Sequence, residues 1–196
     1  MTKIGIITGS TRDVRVNIQV AEWVKDFADN RGVNAEFEII DIKESGLGRF
    51  NEAIPPLMAN REYATDEQNA WSKKIDACDG FIFVTPEYNK NIPSGLKDHL
   101  DYLGSEWHHK AAGIVAYGST LGVAASLALR TTLANLKVAT VEPQGAFSLF
   151  NDFEEMATFK PMDVHKPRFG EMIDDVVAWS NALKSVRKDT STAVIK

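Results

Sequence analysis

Five short, continuous apolar runs constrain the fold of this chain more than any other feature of its sequence. They lie at 4–7, 37–40, 81–84, 113–116 and 138–141. Each has the length and mainly hydrophobic character of a strand that is buried on both faces. Between these runs, apolar residues recur at the three- and four-residue spacing of amphipathic helices. Those helical patterns lie at 16–29, 66–76, 94–103, 121–136 and 169–187. Alternating strands and helices predict a parallel sheet covered by helices on both faces, because parallel strands need crossover connections.

Size and charge narrow the class of protein further. The 196 residues suit a single domain, predicted to span 1–188 with a mobile tail at 189–196. The formal net charge is −5 and no block is rich in lysine or arginine, which argues against nucleic acid or an anionic membrane as the main partner. No apolar stretch reaches the roughly 18 residues that a membrane span requires. A small soluble ligand is the favoured partner.

The cellular location is predicted from the cysteine count and the first residues. Cys78 is the single cysteine, so an internal disulfide framework is excluded. The opening MTKIGIITGS runs directly into a strand and lacks the pattern of a secretory signal. Both features predict a cytoplasmic protein.

Two segments depart from the regular alternation. Residues 42–65 contain Gly46, Gly48 and the Pro55–Pro56 pair, and form either a functional lid or an insertion packed by its own apolar side chains. Residues 144–168 are rich in phenylalanine and predict an irregular covering segment.

The loop after the first strand is a candidate anion site. Ligands of open parallel sheets bind beyond the carboxyl ends of the strands. There the chain reads GSTRDVR at 9–15, with Asn17 in the first turn of the next helix. Small residues and a helix N-terminus suit a phosphate monoester, and Arg12 or Arg15 can neutralise it. The alternative is a capped turn with solvated arginines. The loop lacks the sequence patterns of ATP-hydrolysing and dinucleotide-binding sites.

The loops after the third and fourth strands are candidates for binding a ring. The third strand leads into TPEYNKNIPSGLKDHLDYL at 85–103, and the PEYN portion suits one wall of a planar heterocycle. The fourth leads into Gly118 and Ser119, where a glycine allows close approach and hydroxyl groups can bond a polar ring edge. A turn with a buried tyrosine and a simple helix cap are the respective alternatives.

The motifs PEYN and I-P-x-x-L-K-x-x-x-D-Y-L, the latter at 92–103, resemble those of the NADPH-dependent FMN reductase family over residues 3–141. The resemblance implies a flavodoxin-like α/β fold: a three-layer sandwich with a five-stranded parallel sheet of order 2-1-3-4-5. It also implies a cofactor-binding set: Ser10, Thr11, Arg12, Arg15, Asn17, Pro86, Glu87, Tyr88, Asn89, Gly118 and Ser119. The first five would hold the FMN phosphate and the rest would border the flavin ring. No catalytic proton-transfer residue and no metal ligand is predicted.

The same resemblance implies a function. Hydride passes from NADPH or NADH to bound FMN and then, by a ping-pong exchange, to a quinone, azo compound, metal oxyanion or free flavin. The implied assembly is a homodimer or homotetramer. The alternatives are a flavodoxin-like electron carrier and a non-catalytic flavin-binding protein, and the arginines of GSTRDVR favour the reductase over the carrier. At 15–17 and 122–123 the chain departs from the common family pattern. The sequence specifies neither the electron acceptor nor the preferred nicotinamide.

Overall fold

A computed structural model describes residues 1–192 of the protein, with side chains through Arg187. The strands are β1 Thr2–Thr8, β2 Ala35–Ile40, β3 Gly80–Pro86, β4 Lys110–Gly118, β5 Val138–Thr140, β6 Gly145–Ser148, β7 Phe153–Glu154 and β8 Thr158–Phe159. The α-helices are α1 Asn17–Asp29, α2 Asp66–Asp76, α3 Ser94–Asp101, α4 Val123–Asn135 and α5 Lys166–Thr192. Short 3-10 turns occur at Ile42–Glu44, Pro56–Met58 and Asp163–His165.

The main sheet has the order β2-β1-β3-β4-β5, and each of these pairings is parallel. Helices α1 and α5 cover one face, where Val24 and Met172 pack in a cluster with Ile6. Helices α2, α3 and α4 cover the other face around Phe81 and Phe83. The predicted three-layer, flavodoxin-like α/β sandwich is therefore confirmed, and it follows from strands that are apolar on both sides.

The fifth position of the sheet is more complicated than the single predicted strand at 138–141. Both β5 and β6 pair with β4, β5 along Lys110–Ala112 and β6 along Val115–Gly118. The break between them contains Pro143, which has no N–H group to continue the ladder. After the break the chain resumes pairing with β4, so the carboxyl end of the fifth position lies at Ser148.

The first half of the 42–65 segment packs against α3 and the residue that follows it. The Tyr102 hydroxyl donates to the Arg49 carbonyl at 2.9 Å, and the Phe50 ring meets the Tyr102 ring edge-on. The second half instead exposes Leu57 and Met58, which are 65% and 72% accessible. A packed insertion thus describes the first half, whereas the second half is exposed at 57–58 and packs against the core again at Tyr63.

Among residues 1–192, no helix combines the length and the apolar character needed to cross a bilayer. The predicted single domain at 1–188 stays a prediction. So does the mobile tail at 189–196, which includes residues outside the described range.

Candidate functional site

The loops at the carboxyl edge of the sheet surround a cavity of about 240 Å³. Four loops contribute, those that follow β1, β3, β4 and β6. The lining residues are Arg12, Val14, Arg15, Val16, Pro86, Glu87, Tyr88, Tyr117, Gly118, Leu149 and Met156. The sequence directed attention to the first three loops, and the structure adds the fourth.

Asn17 fixes the loop after β1. Its side chain is fully buried; Oδ1 accepts the N–H groups of Gly9 at 2.9 Å and Ser10 at 3.3 Å, and Nδ2 donates to the Val84 carbonyl at 3.0 Å. The loop lies so close to β3 that a Cβ atom on Gly9 would come within 2.9 Å of the Val84 carbonyl oxygen. Asn17 therefore shapes the loop from behind, and its polar atoms are occupied by protein groups.

The two arginines of this loop have different electrostatic surroundings. Arg15 donates to the Ser10 carbonyl at 2.7 Å and forms an ion pair with Asp41, so its charge is compensated within the protein. Arg12 instead forms no ion pair with a carboxylate among the described residues, and its interaction with the Tyr88 phenol raises the pKa of Arg12. Arg12 consequently brings to the cavity a positive charge that no neighbouring carboxylate neutralises.

Backbone donors accompany that charge. Within the described chain, the amide N–H groups from Thr11 to Val14 donate to no protein acceptor. Helix α1 begins next to them at Asn17 without a side-chain cap, so its N-terminal partial positive charge is not masked. Unused amides, a helix N-terminus and an arginine together form a donor set suited to a phosphate.

The loop after β3 is held by a tight turn. Tyr88 and Asn91 exchange two backbone hydrogen bonds of 2.9 and 3.0 Å across Asn89 and Lys90. Both central residues have positive φ, 49° and 67°, as in the two-residue turns of β-hairpins. The turn leaves Asn89 exposed at its tip and places the Tyr88 hydroxyl 3.3 Å from Ser10 Oγ. The first two ligand loops are thereby tied together.

Glu87 joins the second loop to the third. Its carboxylate accepts the amides of Ala124 at 3.0 Å and Ala125 at 3.3 Å, in the first turn of α4, and it also pairs with Lys90 at 3.3 Å. Burial alone would raise the pKa of Glu87, but these bonds outweigh it and lower the pKa. Glu87 therefore acts as a helix cap supplied by a different loop, a role that residue type and spacing did not reveal.

The loop after β4 is shaped by a glycine that was not assigned to the site. Gly122 has φ of 67°, and a Cβ atom there would lie 2.6 Å from the Tyr117 amide nitrogen. This close approach turns the chain into α4 and leaves Gly118 on the cavity wall, while Ser119 is exposed beside it. Tyr117 itself is buried, and burial raises the pKa of its phenol.

The model for NADPH-dependent FMN reductase matches residues 2–152. The chain belongs to the NADPH-dependent FMN reductase family. Within the family, the chain is 32% identical over 170 residues to an NAD(P)H-dependent FMN reductase of Schizosaccharomyces pombe, covering 87% of this chain and 84% of that one. It is 27% identical over 195 residues to a quinone reductase of Pseudomonas putida, covering 93% and 97%.

Among solved structures, the flavoenzyme NAD(P)H:(acceptor) oxidoreductase FerB of Paracoccus denitrificans aligns with a TM-score of 0.71. The two share 18% identity, and the alignment covers 93% of this chain and 98% of FerB, which supports the fold alone. The named relatives in the FMN reductase family are reductases, so the electron-carrier alternative is not favoured.

The sequence-predicted cofactor residues of this FMN reductase family member fall into three groups. Six line the cavity: Arg12, Arg15, Pro86, Glu87, Tyr88 and Gly118. Ser10 and Asn17 are buried behind it, and Thr11, Asn89 and Ser119 are exposed at loop positions outside its lining. The prediction omitted Val14, Val16, Tyr117, Leu149 and Met156. The rule that ligands bind at strand ends would have found Leu149, had the break in the fifth strand been recognised.

Proposed function

We propose that this protein is an FMN-dependent oxidoreductase that uses NADPH or NADH to reduce a small-molecule acceptor. The observation that carries the proposal is the set of unused amides from Thr11 to Val14 beside Arg12, at the cavity edge of a chain in this family. The donor set matches the charge and hydrogen-bonding capacity of the FMN phosphate.

We assign the phosphate to this first loop, with Ser10, Arg15 and Asn17 acting mainly by holding its shape. Pro86, Tyr88 and Gly118 would border the ring, and Glu87 would keep the two ring loops in register through α4. Thr11, Asn89 and Ser119 each adjoin a cavity-lining residue in sequence, and we assign them contacts with FMN at the rim of the cavity. Each of these roles is a proposal about the chain's own residues.

These residues would hold FMN, which when bound would supply hydride-transfer chemistry between the nicotinamide and the acceptor. In a flavin enzyme of this kind, the protein binds and orients the cofactor and sets its electrostatic surroundings. We therefore assign no residue as a general acid or base. Arg12 keeps its positive charge throughout the accessible pH range, so the anchor for a phosphate does not titrate away.

The acceptor class is proposed from the relatives, which include a quinone reductase and an NADPH azoreductase by name. Quinones and azo compounds are the first acceptors to test, followed by metal oxyanions and free flavin. We further propose a cytoplasmic homodimer or homotetramer. The buried, free Cys78 thiol is compatible with a reducing compartment, and the apolar side chains at 57–58 are available for a subunit contact.

The first experiment is the visible spectrum of the protein after incubation with FMN and desalting, followed by anaerobic addition of NADPH. We expect retained flavin absorbance that bleaches with NADPH and returns when a quinone is added. Retention without bleaching would contradict the reductase assignment and point to an electron carrier. Failure to retain flavin would contradict the assignment of the phosphate loop.

A further inference from the structure

The segment after β6 contributes a wall to the cavity that the family match does not account for. That match ends at residue 152, whereas Met156 lines the cavity together with Leu149. After Leu149 the chain forms an antiparallel hairpin with Met156 at its tip, β7 paired to β8 and Phe153 opposite Phe159. We refer to residues 149–160 as the β7–β8 hairpin.

Polar contacts fix the base of the β7–β8 hairpin. The buried Asp152 carboxylate accepts the Ser148 amide at 2.8 Å, the Met162 amide at 3.1 Å and His165 Nε2 at 2.9 Å. These bonds connect the end of β6 to the turn before α5. The base of the hairpin is therefore held independently of any ligand.

Helix α1 holds the far arm of the same hairpin. Gln19 donates from Nε2 to the Ala157 carbonyl at 3.1 Å, and its Oε1 accepts the Phe159 amide at 3.0 Å. The rings of Phe153 and Phe159 are 4.9 Å apart between centroids, and Phe153 also meets Tyr117 at 5.5 Å. The hairpin is thus tied to the helix that follows the phosphate loop and to the cavity wall.

The tip of the hairpin is a tight turn. Glu155 and Met156 have φ values of 52° and 55°, as in the two-residue turns of β-hairpins, and the Ala157 amide donates to the Glu154 carbonyl at 3.0 Å. This turn fixes the backbone at Met156. Here the tip brings Met156 to the cavity with 59% of its surface exposed, and Val14 of the same lining is 81% exposed.

We propose that Met156, positioned by the β7–β8 hairpin, is a specificity-determining residue that contacts the apolar surface of a planar aromatic ring system. Methionine packs well on aromatic rings because its thioether is polarisable and its side chain is unbranched. The inference rests on the proposed function, since it concerns the same cavity. The ring system belongs either to the flavin or to an aromatic acceptor, and the two sources are separated by experiment.

The test compares Met156→Ala with Met162→Ala, whose methionine belongs to the adjoining segment, is 45% exposed and does not line the cavity. One arm titrates apoprotein with FMN and follows flavin fluorescence. A second arm measures binding of 2-naphthol, a redox-inert aromatic, to FMN-loaded protein by flavin absorbance. A third compares KM for 1,4-naphthoquinone with KM for ferricyanide, a small anion that gains little from an apolar contact.

We expect Met156→Ala to weaken binding of the aromatic partner about three- to tenfold, the loss of one sulfur–aromatic contact, while Met162→Ala changes nothing. A higher FMN dissociation constant identifies the flavin ring as the partner. Weaker 2-naphthol binding and a higher naphthoquinone KM, at constant ferricyanide KM, identify the acceptor. Equal rises for both acceptors with unchanged FMN and naphthol binding, or no difference from Met162→Ala, would overturn the proposal.

Gln19 provides a test of the hairpin's positioning role. Gln19→Ala removes two of its anchors, so we expect the same partner to bind more weakly, and less than additively when combined with Met156→Ala. If the losses of affinity from the two substitutions were additive, Gln19 would not act by positioning Met156. The reductase assignment has its own test: it is wrong if NADPH does not bleach flavin bound to the unaltered protein. In that case the measurements of FMN and 2-naphthol binding would still test the role of Met156.

Discussion

The two edges of the sheet use polar groups in opposite ways. At the amino edge, Glu106 is buried and each carboxylate oxygen accepts protein hydrogen bonds, from Tyr63 and Ser72 on one side and the Gly104 amide on the other. At the carboxyl edge, the amides from Thr11 to Val14 have no protein acceptor within the described chain, and Arg12 forms no ion pair with a described carboxylate.

This difference separates stability from binding. A buried charge with a full set of partners contributes to folding, and removing it leaves its partners unsatisfied. Unused donors at a cavity edge contribute little to folding and are available to a ligand. Residues of the amino edge should therefore alter unfolding without altering FMN affinity, and residues of the carboxyl edge should do the reverse.

Glu106 should show the largest effect on folding. Glu106→Ala leaves the Tyr63 hydroxyl, the Ser72 hydroxyl and the Gly104 amide without their acceptor, and we expect a loss of about 3 kcal/mol in the free energy of unfolding. Urea denaturation of the apoprotein measures it, and Glu106→Gln is the shape-matched control with a smaller loss. A large change in FMN affinity from Glu106→Gln, with unfolding unchanged, would break the comparison.

Arg12 should show the converse behaviour. We expect Arg12→Ala to raise the FMN dissociation constant about ten- to thirtyfold, the loss of a charge-assisted bond to phosphate, while the urea midpoint stays the same. Riboflavin lacks the phosphate, so its affinity should not change. Arg49→Ala removes an exposed arginine outside the cavity lining and serves as the matched control. Equal weakening of FMN and riboflavin would contradict a phosphate contact.

At both edges, sequence alone predicted the local features of the fold and missed the contacts between distant segments. The strands, the helices and the first three ligand loops follow from patterns within short stretches of the chain, whereas the strand order was implied by the family resemblance. Glu87, in contrast, caps a helix 37 residues away in sequence, which no local pattern encodes. The same holds for Asn17, whose residue type suggested a ligand contact, although its side-chain amide donates from helix α1 to the Val84 carbonyl in β3.

The fourth ligand loop was missed for a different physical reason. Pro143 interrupts the fifth strand, so the apolar run ends before the true end of the strand, and Leu149 and Met156 were assigned to irregular covering structure. The buried network around Glu106 was equally hidden, because its donors come from three separated segments. In both cases the structure depends on contacts between residues that are distant in sequence, which local patterns do not reveal.

Lys110 allows the amino edge to be tested by pH. Its ammonium donates to the carbonyls of Ile75 and Asp76, and burial lowers its pKa to about 8 from 10.5. Between these values the unfolded chain holds a proton that the folded chain has released, so this group makes the protein more stable as pH rises. We expect the difference in unfolding free energy between the unaltered protein and Lys110→Met to grow by roughly 1 to 2 kcal/mol from pH 8 to pH 10.

Subtracting the Lys110→Met curve removes the contributions of groups that titrate alike in both proteins. The measurement is chemical denaturation at several pH values, with FMN affinity followed in parallel at neutral pH. A difference that stays flat across this range would mean that Lys110 is not held in a buried, proton-releasing environment. A changed FMN affinity would extend the influence of the amino edge to the ligand site.

Glu87 tests the comparison with the smallest expected effect. It lies at the carboxyl edge, yet its carboxylate is hydrogen-bonded within the protein, as that of Glu106 is at the amino edge. Its side chain is only 6% exposed and caps α4, so Glu87→Ala should cost about 1 kcal/mol of unfolding free energy, and Glu87→Gln less. Its lowered pKa means that the contribution is complete at neutral pH and is lost as pH falls below about 4.5. Urea denaturation at pH 7 and pH 4 would detect it. If Glu87→Gln instead weakened FMN binding as much as Arg12→Ala, with no loss of stability, Glu87 would be a direct ligand contact, and full hydrogen bonding would no longer distinguish structural from binding residues.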